Sequence, residues 1–326
     1  MITNIHRRLR CLPTPMTGLA LGIATLGVCL ELALPLHFWA QMICAFCALF
    51  FWGLLALRFI LHPDTMLSDI RHPVLGSIVP TFTMCLMIMS VTFRHFSTAF
   101  GTGLWVVGLV LHLIAVVVFT YYRMREPNME HMVPSWFIGP VGIIVADLTF
   151  PGIAGWDPFM VLLLTIGIVA YGILLPLMIY RLVFVGTLPQ AAQPTIAIMA
   201  APASLCLAGY VTVVKEPHLL LVALLFGIAL LMTFFIYVSF WRLLRLKFSP
   251  GYAAFTFPMV VGPTALFKTA LMLESHFPQA SEYVRELRLM GDIELAIGAV
   301  VIIYVAILYL RNLPDFLAGP NGACPK

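Results

Sequence analysis

The chain has 326 residues, 62% hydrophobic and 10% charged, with a mean hydropathy of +1.03. Soluble domains carry about 25% charged residues, and a water-soluble fold of this length cannot hide so much apolar surface. The formal net charge of +4 comes from basic residues scattered at the ends of apolar runs. That placement suits membrane topology and argues against nucleic acid as a partner.

A membrane crossing takes about 20 residues, and ten apolar segments of that kind follow one another. They are predicted near 13–35, 37–60, 73–93, 100–122, 134–150, 157–181, 194–214, 217–241, 250–272 and 291–311. The eighth has no charge inside it. The fifth is short and ends near Asp147 and Pro151. The basic start resembles a signal sequence, but the many later spans favour a retained first helix. With the N-terminus inside, only Arg94, Lys215, Lys268, Arg285 and Arg288 fall outside, which leaves 13 of the 18 Lys and Arg residues inside. This bias places both termini in the cytoplasm. The expected organisation is a cytoplasmic segment 1–12, one transmembrane domain 13–312 and a cytoplasmic tail 313–326.

Prolines recur in alternate spans at Pro15, Pro80, Pro140, Pro202 and Pro258. The intervals are about 56 to 65 residues, the length of one helical hairpin, and such a period indicates stacked equivalent units. Proline removes a helical hydrogen bond and clashes with the preceding turn. In lipid, the freed carbonyl must be satisfied by protein or water. Kinked odd-numbered helices are therefore expected inside and smoother even-numbered ones outside. The predicted fold is an all-α membrane protein of ten transmembrane helices, arranged as five hairpins with quasi-fivefold symmetry around a central pore.

Hydroxyls cluster at these prolines: Thr14, Thr17, Thr81, Thr83, Ser204 and Thr256. They either hydrate a passing ion or satisfy the freed carbonyls. Gly18 and Gly22 form a GxxxG that lets helices approach closely. Lys268 is a charge inside a span, so it either lines a polar route and attracts anions or reaches back to the interface. Asp147 is expected at the outer interface, and so is Glu31. His112 lies midway along the fourth span, where it has no second histidine to make a haem site. Cys44 and Cys47 form a CxxC inside an apolar run and read as core thiols. There is no P-loop, zinc spacing, nucleophile elbow or paired intramembrane carboxylates. No catalytic residue, metal or cofactor is expected, and an enzyme is not indicated.

Three strings carry a resemblance: SPGYAAFTFPMVVGPTALFK at 249–268, IRHPVLGSIVPTFTM at 70–84, and LPTPMTGLALG opening the first span. Together with the ten spans and five prolines they resemble the tellurite-resistance/dicarboxylate transporter family over about residues 12–312. That family includes bacterial tellurite-resistance channels, fungal malate and sulfite carriers and the slow anion channels of plant guard cells. The FTFP string departs from the FSFG-like string of the bacterial channel members and is closer to the plant type. The resemblance implies a homotrimer in the plasma membrane (the inner membrane in a bacterium), with a pore in each subunit closed by the phenylalanine before the proline, here Phe257. Pore lining would come from Pro15, Pro80, Pro140, Pro202, Pro258, Thr17, Thr81, Ser204 and Thr256. The expected cargo is small anions: chloride, nitrate, dicarboxylates, sulfite or tellurite. The alternative is a proton-coupled exporter of a weak acid.

Overall fold

The structure, a computed structural model, describes residues 8–318; the ends of both predicted cytoplasmic segments, 1–7 and 319–326, lie outside the described residues. These are all-helical, without strands. In chain order the α-helices are α1 (Met16–Ala33), α2 (Trp39–Leu61), α3 (Pro63–Arg71), α4 (Leu75–Ile78), α5 (Pro80–Phe96), α6 (Thr98–Arg125), α7 (Val145–Leu148), α8 (Asp157–Phe184), α9 (Ala201–Val213), α10 (Leu219–Leu243), α11 (Pro258–His276) and α12 (Ser281–Ala318). Tight 3-10 segments at Gln190–Ala200 and Pro250–Phe255 run into α9 and α11.

Among the described residues, nine helical stretches are long and apolar enough to cross a bilayer. The chain is an integral membrane protein. The predicted fifth span is a correction to the ten-helix expectation. Residues 134–150 form no continuous helix, only 3-10 turns at Pro134–Phe137 and Gly142–Ile144 followed by α7. Pro134, Gly139, Pro140 and Gly142 fall close together there. Proline withholds a donor and glycine gives little conformational bias, so no long i to i−4 ladder is sustained.

Burial alternates along the chain. In the apolar centres of Leu75–Phe96 and Pro250–His276, 83% of residues are buried, against 28% in Asp157–Phe184 and Leu219–Leu243. The stretches with a repeated proline are the inner ones, and residues 134–149 are mostly buried too. The outer helices present Phe, Leu, Ile and Val outward, among them Phe234, Phe235, Val238 and Val300. An apolar exterior around an irregular interior is what lipid demands, because broken backbone is tolerated only away from hydrocarbon.

The five repeated prolines do not lie inside continuous helices, unlike Pro176 of α8 and Pro263 of α11. Pro80 and Pro258 open α5 and α11, Pro202 lies in the first turn of α9, and Pro15 immediately precedes α1. The missing N–H of proline costs nothing at a helix start, where the first amides have no intrahelical partner anyway. Hydroxyls then serve the carbonyls of the preceding tight turn. Thr17 donates to the Thr14 carbonyl at 3.0 Å, Thr81 to Ile78 at 2.7 Å, Thr83 to Pro80 at 2.8 Å and Ser204 to Ala200 at 3.2 Å. Thr256 lies within bonding distance of the Ala253 and Gly18 carbonyls, at 2.7 and 3.0 Å.

That last pair ties α1 to the start of α11. A Cβ on Gly22 would come within 2.5 Å of Thr256 and 3.1 Å of the Phe257 nitrogen. The GxxxG of α1 is thus the seat of the segment that carries Phe257. Gly22→Ala is expected to push these backbones apart and to cost about 1–3 kcal/mol, the usual penalty for overpacking. A thermal unfolding midpoint for purified Gly22→Ala equal to that of the wild type would contradict this packing.

Candidate anion pathway

The starts of the inner segments enclose one cavity of about 740 Å³. Each contributes to its wall: Pro13 to Leu21 before and on α1, Val74 to Met84 on α4 and α5, Phe137 to Gly142 from the broken segment, Pro189 to Leu205, and Ser249 to Pro258. The wall is mostly aliphatic. Phe257, only 8% exposed, borders the cavity. Its backbone continues helically from the 3-10 turn into α11, with φ −56° and ψ −42°. Pro258 at its side opens α11 and Thr256 on the other side is bonded to α1, so both flanks of the ring are fixed.

One cluster of charge borders this wall. Arg58, near the end of α2, reaches Asp69 of α3 at 2.9 Å and donates to the Thr14 hydroxyl at 2.8 Å. Thr14 in turn donates to Asp69. All three side chains are buried and all line the cavity. His72 lies beside them. Its Nδ1 accepts the amides of Val74 and Leu75, each at 3.2 Å, which requires that nitrogen to be unprotonated. Burial, reinforced by Arg123 and His131 and opposed by Asp69, holds its pKa below the ordinary 6.5. Arg10, paired with Asp64, completes the basic rim. The cavity thus joins an apolar wall to a guanidinium whose charge is largely balanced by one carboxylate.

Of the residues singled out in the sequence, Phe257, Thr14, Pro15, Gly18, Thr81, Pro202 and Pro258 border the cavity. Thr17, Ser204 and Thr256 are buried beside it with their hydroxyls turned to carbonyls. Pro80 and Pro140 stand at the same breaks but not on its wall. Lys268 is half-buried on α11, three turns beyond Phe257, away from the cavity and without an ion pair among the described residues. Glu31 accepts the backbone amide of Ala40 at 3.1 Å and so caps the start of α2. His112 has a structural task. Its Nε2 donates to the Gly139 carbonyl, just before Pro140, and its Nδ1 meets the Thr83 hydroxyl, both at 2.9 Å. Among the described residues there is no group of His, Cys, Asp and Glu able to hold a metal, and Cys44 and Cys47 are unpaired.

Arg58, Asp69 and His72 were not distinguished in the sequence. Arg58 reads there as one more basic residue at a span end. The available signal was a lone Asp at 69 directly before the IRHPV string.

An apolar cavity walled by helix starts, with charge at its open rim, in an apolar-faced bundle, is the architecture of a membrane transport protein. The model of the voltage-dependent anion channel family (SLAC1) matches residues 12–311. The chain belongs to that family. It is also similar to two uncharacterized transporters of Methanocaldococcus jannaschii, each 28% identical. The first alignment covers 69% of this chain and 72% of the relative, the second 62% and 65%.

Removing one partner of a buried ion pair strands the other, which costs about 3–5 kcal/mol. Asp69→Ala is therefore expected to lower the thermal midpoint of the purified protein markedly, and Asp69→Glu much less. Equal midpoints for Asp69→Ala and the wild type would show that the pair does not hold α2 and α3 together.

Proposed function

We propose that the cavity is the inner half of a pore for small anions within each subunit, arranged quasi-symmetrically from five helical hairpins and closed by Phe257. The observation that carries this reading is the shared wall: all the proline-marked segments end on one cavity, and the ring of Phe257 stands on it. Residues 134–150 act as the fifth inner member, with a broken backbone in place of a full helix. The excess of Lys and Arg at the cavity end supports a cytoplasmic mouth and cytoplasmic termini in a plasma membrane. A homotrimer is part of this proposal, and the resemblance is its support.

The chemistry follows from the wall. A bare ion moved into a low-dielectric interior faces a penalty of order 20 kcal/mol. With so few polar groups on the wall, the ion must keep much of its water, so binding is weak and passage fast. Arg58, softened by Asp69, biases the mouth toward anions without trapping them. An aromatic ring in a narrow passage raises the barrier by expelling water. Lys268, beyond the ring, supplies positive potential on the far half of the route. Chloride and nitrate fit this weak-field route, and dicarboxylates, sulfite and tellurite are the wider cargo class.

Ion-substitution currents or proteoliposome flux for chloride, nitrate, malate and sulfite test the reading. Phe257→Ala is expected to raise anion conductance at least about tenfold, the loss of roughly 1.4 kcal/mol of barrier. Unchanged or lower current in folded protein would remove the ring from the gate. Lys268→Gln should reduce anion over cation selectivity, measured as a shift of reversal potential under a salt gradient. An unmoved reversal potential would assign Lys268 to the interface.

A further inference from the structure

The most unusual side chain in the bundle is Asp147. It is 0% exposed, and neither carboxylate oxygen has a hydrogen-bond partner. Buried polar groups are almost always paired, so an orphaned carboxyl group calls for a reason. It lies on α7, at the end of the broken segment. Gly142, on the cavity wall, precedes it by five residues, which at a rise of about 2 Å per residue is no more than about 10 Å. The expectation from sequence was an interfacial position; the fold buries the side chain within the protein. Gly209 of α9 packs closely against this segment, where Ile144 leaves no room for a side chain. A Cβ there would be 2.2 Å from Ile144 and 3.7 Å from the Asp147 Cβ.

The side-chain donors that reach the residues beside Asp147 bond to other groups. Trp105 of α6 gives its indole N–H to the Ala146 carbonyl and the Thr149 hydroxyl, at 3.2 and 3.1 Å. Arg94 of α5 donates to the Thr149 carbonyl at 3.1 Å. The inward-turned titratable groups on the elements packed against α7 are Cys85 and Arg94 on α5, His112 on α6, Tyr171 on α8 and Cys206 on α9. His112 is spent on the Gly139 carbonyl, and Tyr171 has a buried hydroxyl without a partner. Arg123 and Arg181, on α6 and α8, are bonded to the carbonyls of Arg71 and of Gly186 and Glu130. Among the described residues nothing donates to the Asp147 carboxylate, and no cation is bonded to it.

An ionised carboxylate in such a place is an uncompensated buried charge, whereas the neutral acid is tolerated at far lower cost. The charge also matters to an anion in the nearby cavity, because low-dielectric surroundings carry its field further than water does. We infer that Asp147 is a proton-binding site within the membrane domain, and that anions pass freely only while it holds its proton. This rests on the pore reading above and adds to it a dependence on pH.

The test is nitrate efflux from proteoliposomes at clamped voltage, with equal pH inside and outside, varied from about pH 5 to about pH 9. Nitrate stays ionised throughout, so the cargo itself does not titrate. Wild-type flux should fall at least about tenfold as pH rises, while Asp147→Asn should stay near the acid-side rate at every pH. Asp147→Leu, uncharged and without new donors, gives a second fixed-neutral variant should the amide disturb folding. Infrared difference spectra supply a readout apart from flux: a protonated-carboxyl band that is lost on alkalinisation and absent from both variants. Wild-type flux independent of pH, or the same pH dependence in both variants, would overturn the inference while leaving the pore intact. Absence of nitrate flux at every pH, in the wild type and in Phe257→Ala alike, would instead overturn the pore reading, and with it the inference.

Discussion

Everything in this bundle depends on where broken backbone can be tolerated. Hydrocarbon offers no hydrogen bonds, so a carbonyl released by proline must find a partner within the protein. The chain meets this demand locally. Each break is a tight turn followed by a fresh helix start at or next to proline, and a Ser or Thr close by returns its hydroxyl to the carbonyl three or four residues earlier. At the broken segment, where no hydroxyl does this for Gly139, the ring of His112 comes in from an outer helix. Breaks supplied in this way are stable only inside, and the unbroken helices are left to meet lipid.

The same breaks create the cavity. A tight turn and an α-helix have different diameters and directions, so segments that change from one to the other cannot pack into a solid core along their full length. Space opens where the changes coincide. The walls of that space are aliphatic because the polar groups have been consumed in satisfying the backbone. The charge that remains is at one end: Arg10 on the rim, and the pair of Arg58 and Asp69 locked by Thr14. The seat of Phe257 follows from the same economy of contact, since Gly22 lets Thr256 approach α1 and bond to it.

The membrane character, the order of the spans and the proline register were legible in the sequence because composition and period are one-dimensional properties. Nine of the ten segments correspond to long apolar helices, and the odd one was the segment already short and interrupted. The prolines were legible as interruptions, but not as helix starts, since that distinction depends on the turn before each one. Phe257 was singled out only through the resemblance its FTFP string carries. The task of His112 was not, because its partners are 27 and 29 residues away in the chain. The burial of Asp147 was not legible, because position near a span end does not say what packs over the side chain.

By itself the sequence determined that the chain lives in a bilayer, that its prolines recur at hairpin-sized intervals, and that its interior is the interrupted part. These follow from hydropathy and spacing, which need no knowledge of what touches what. Tertiary structure alone decided that Arg58, Asp69 and Thr14 meet, that Gly22 seats the phenylalanine segment, and that a carboxyl group is sealed in without a donor. Each of these is a matter of distance between residues far apart in the chain, and only packing fixes such distances.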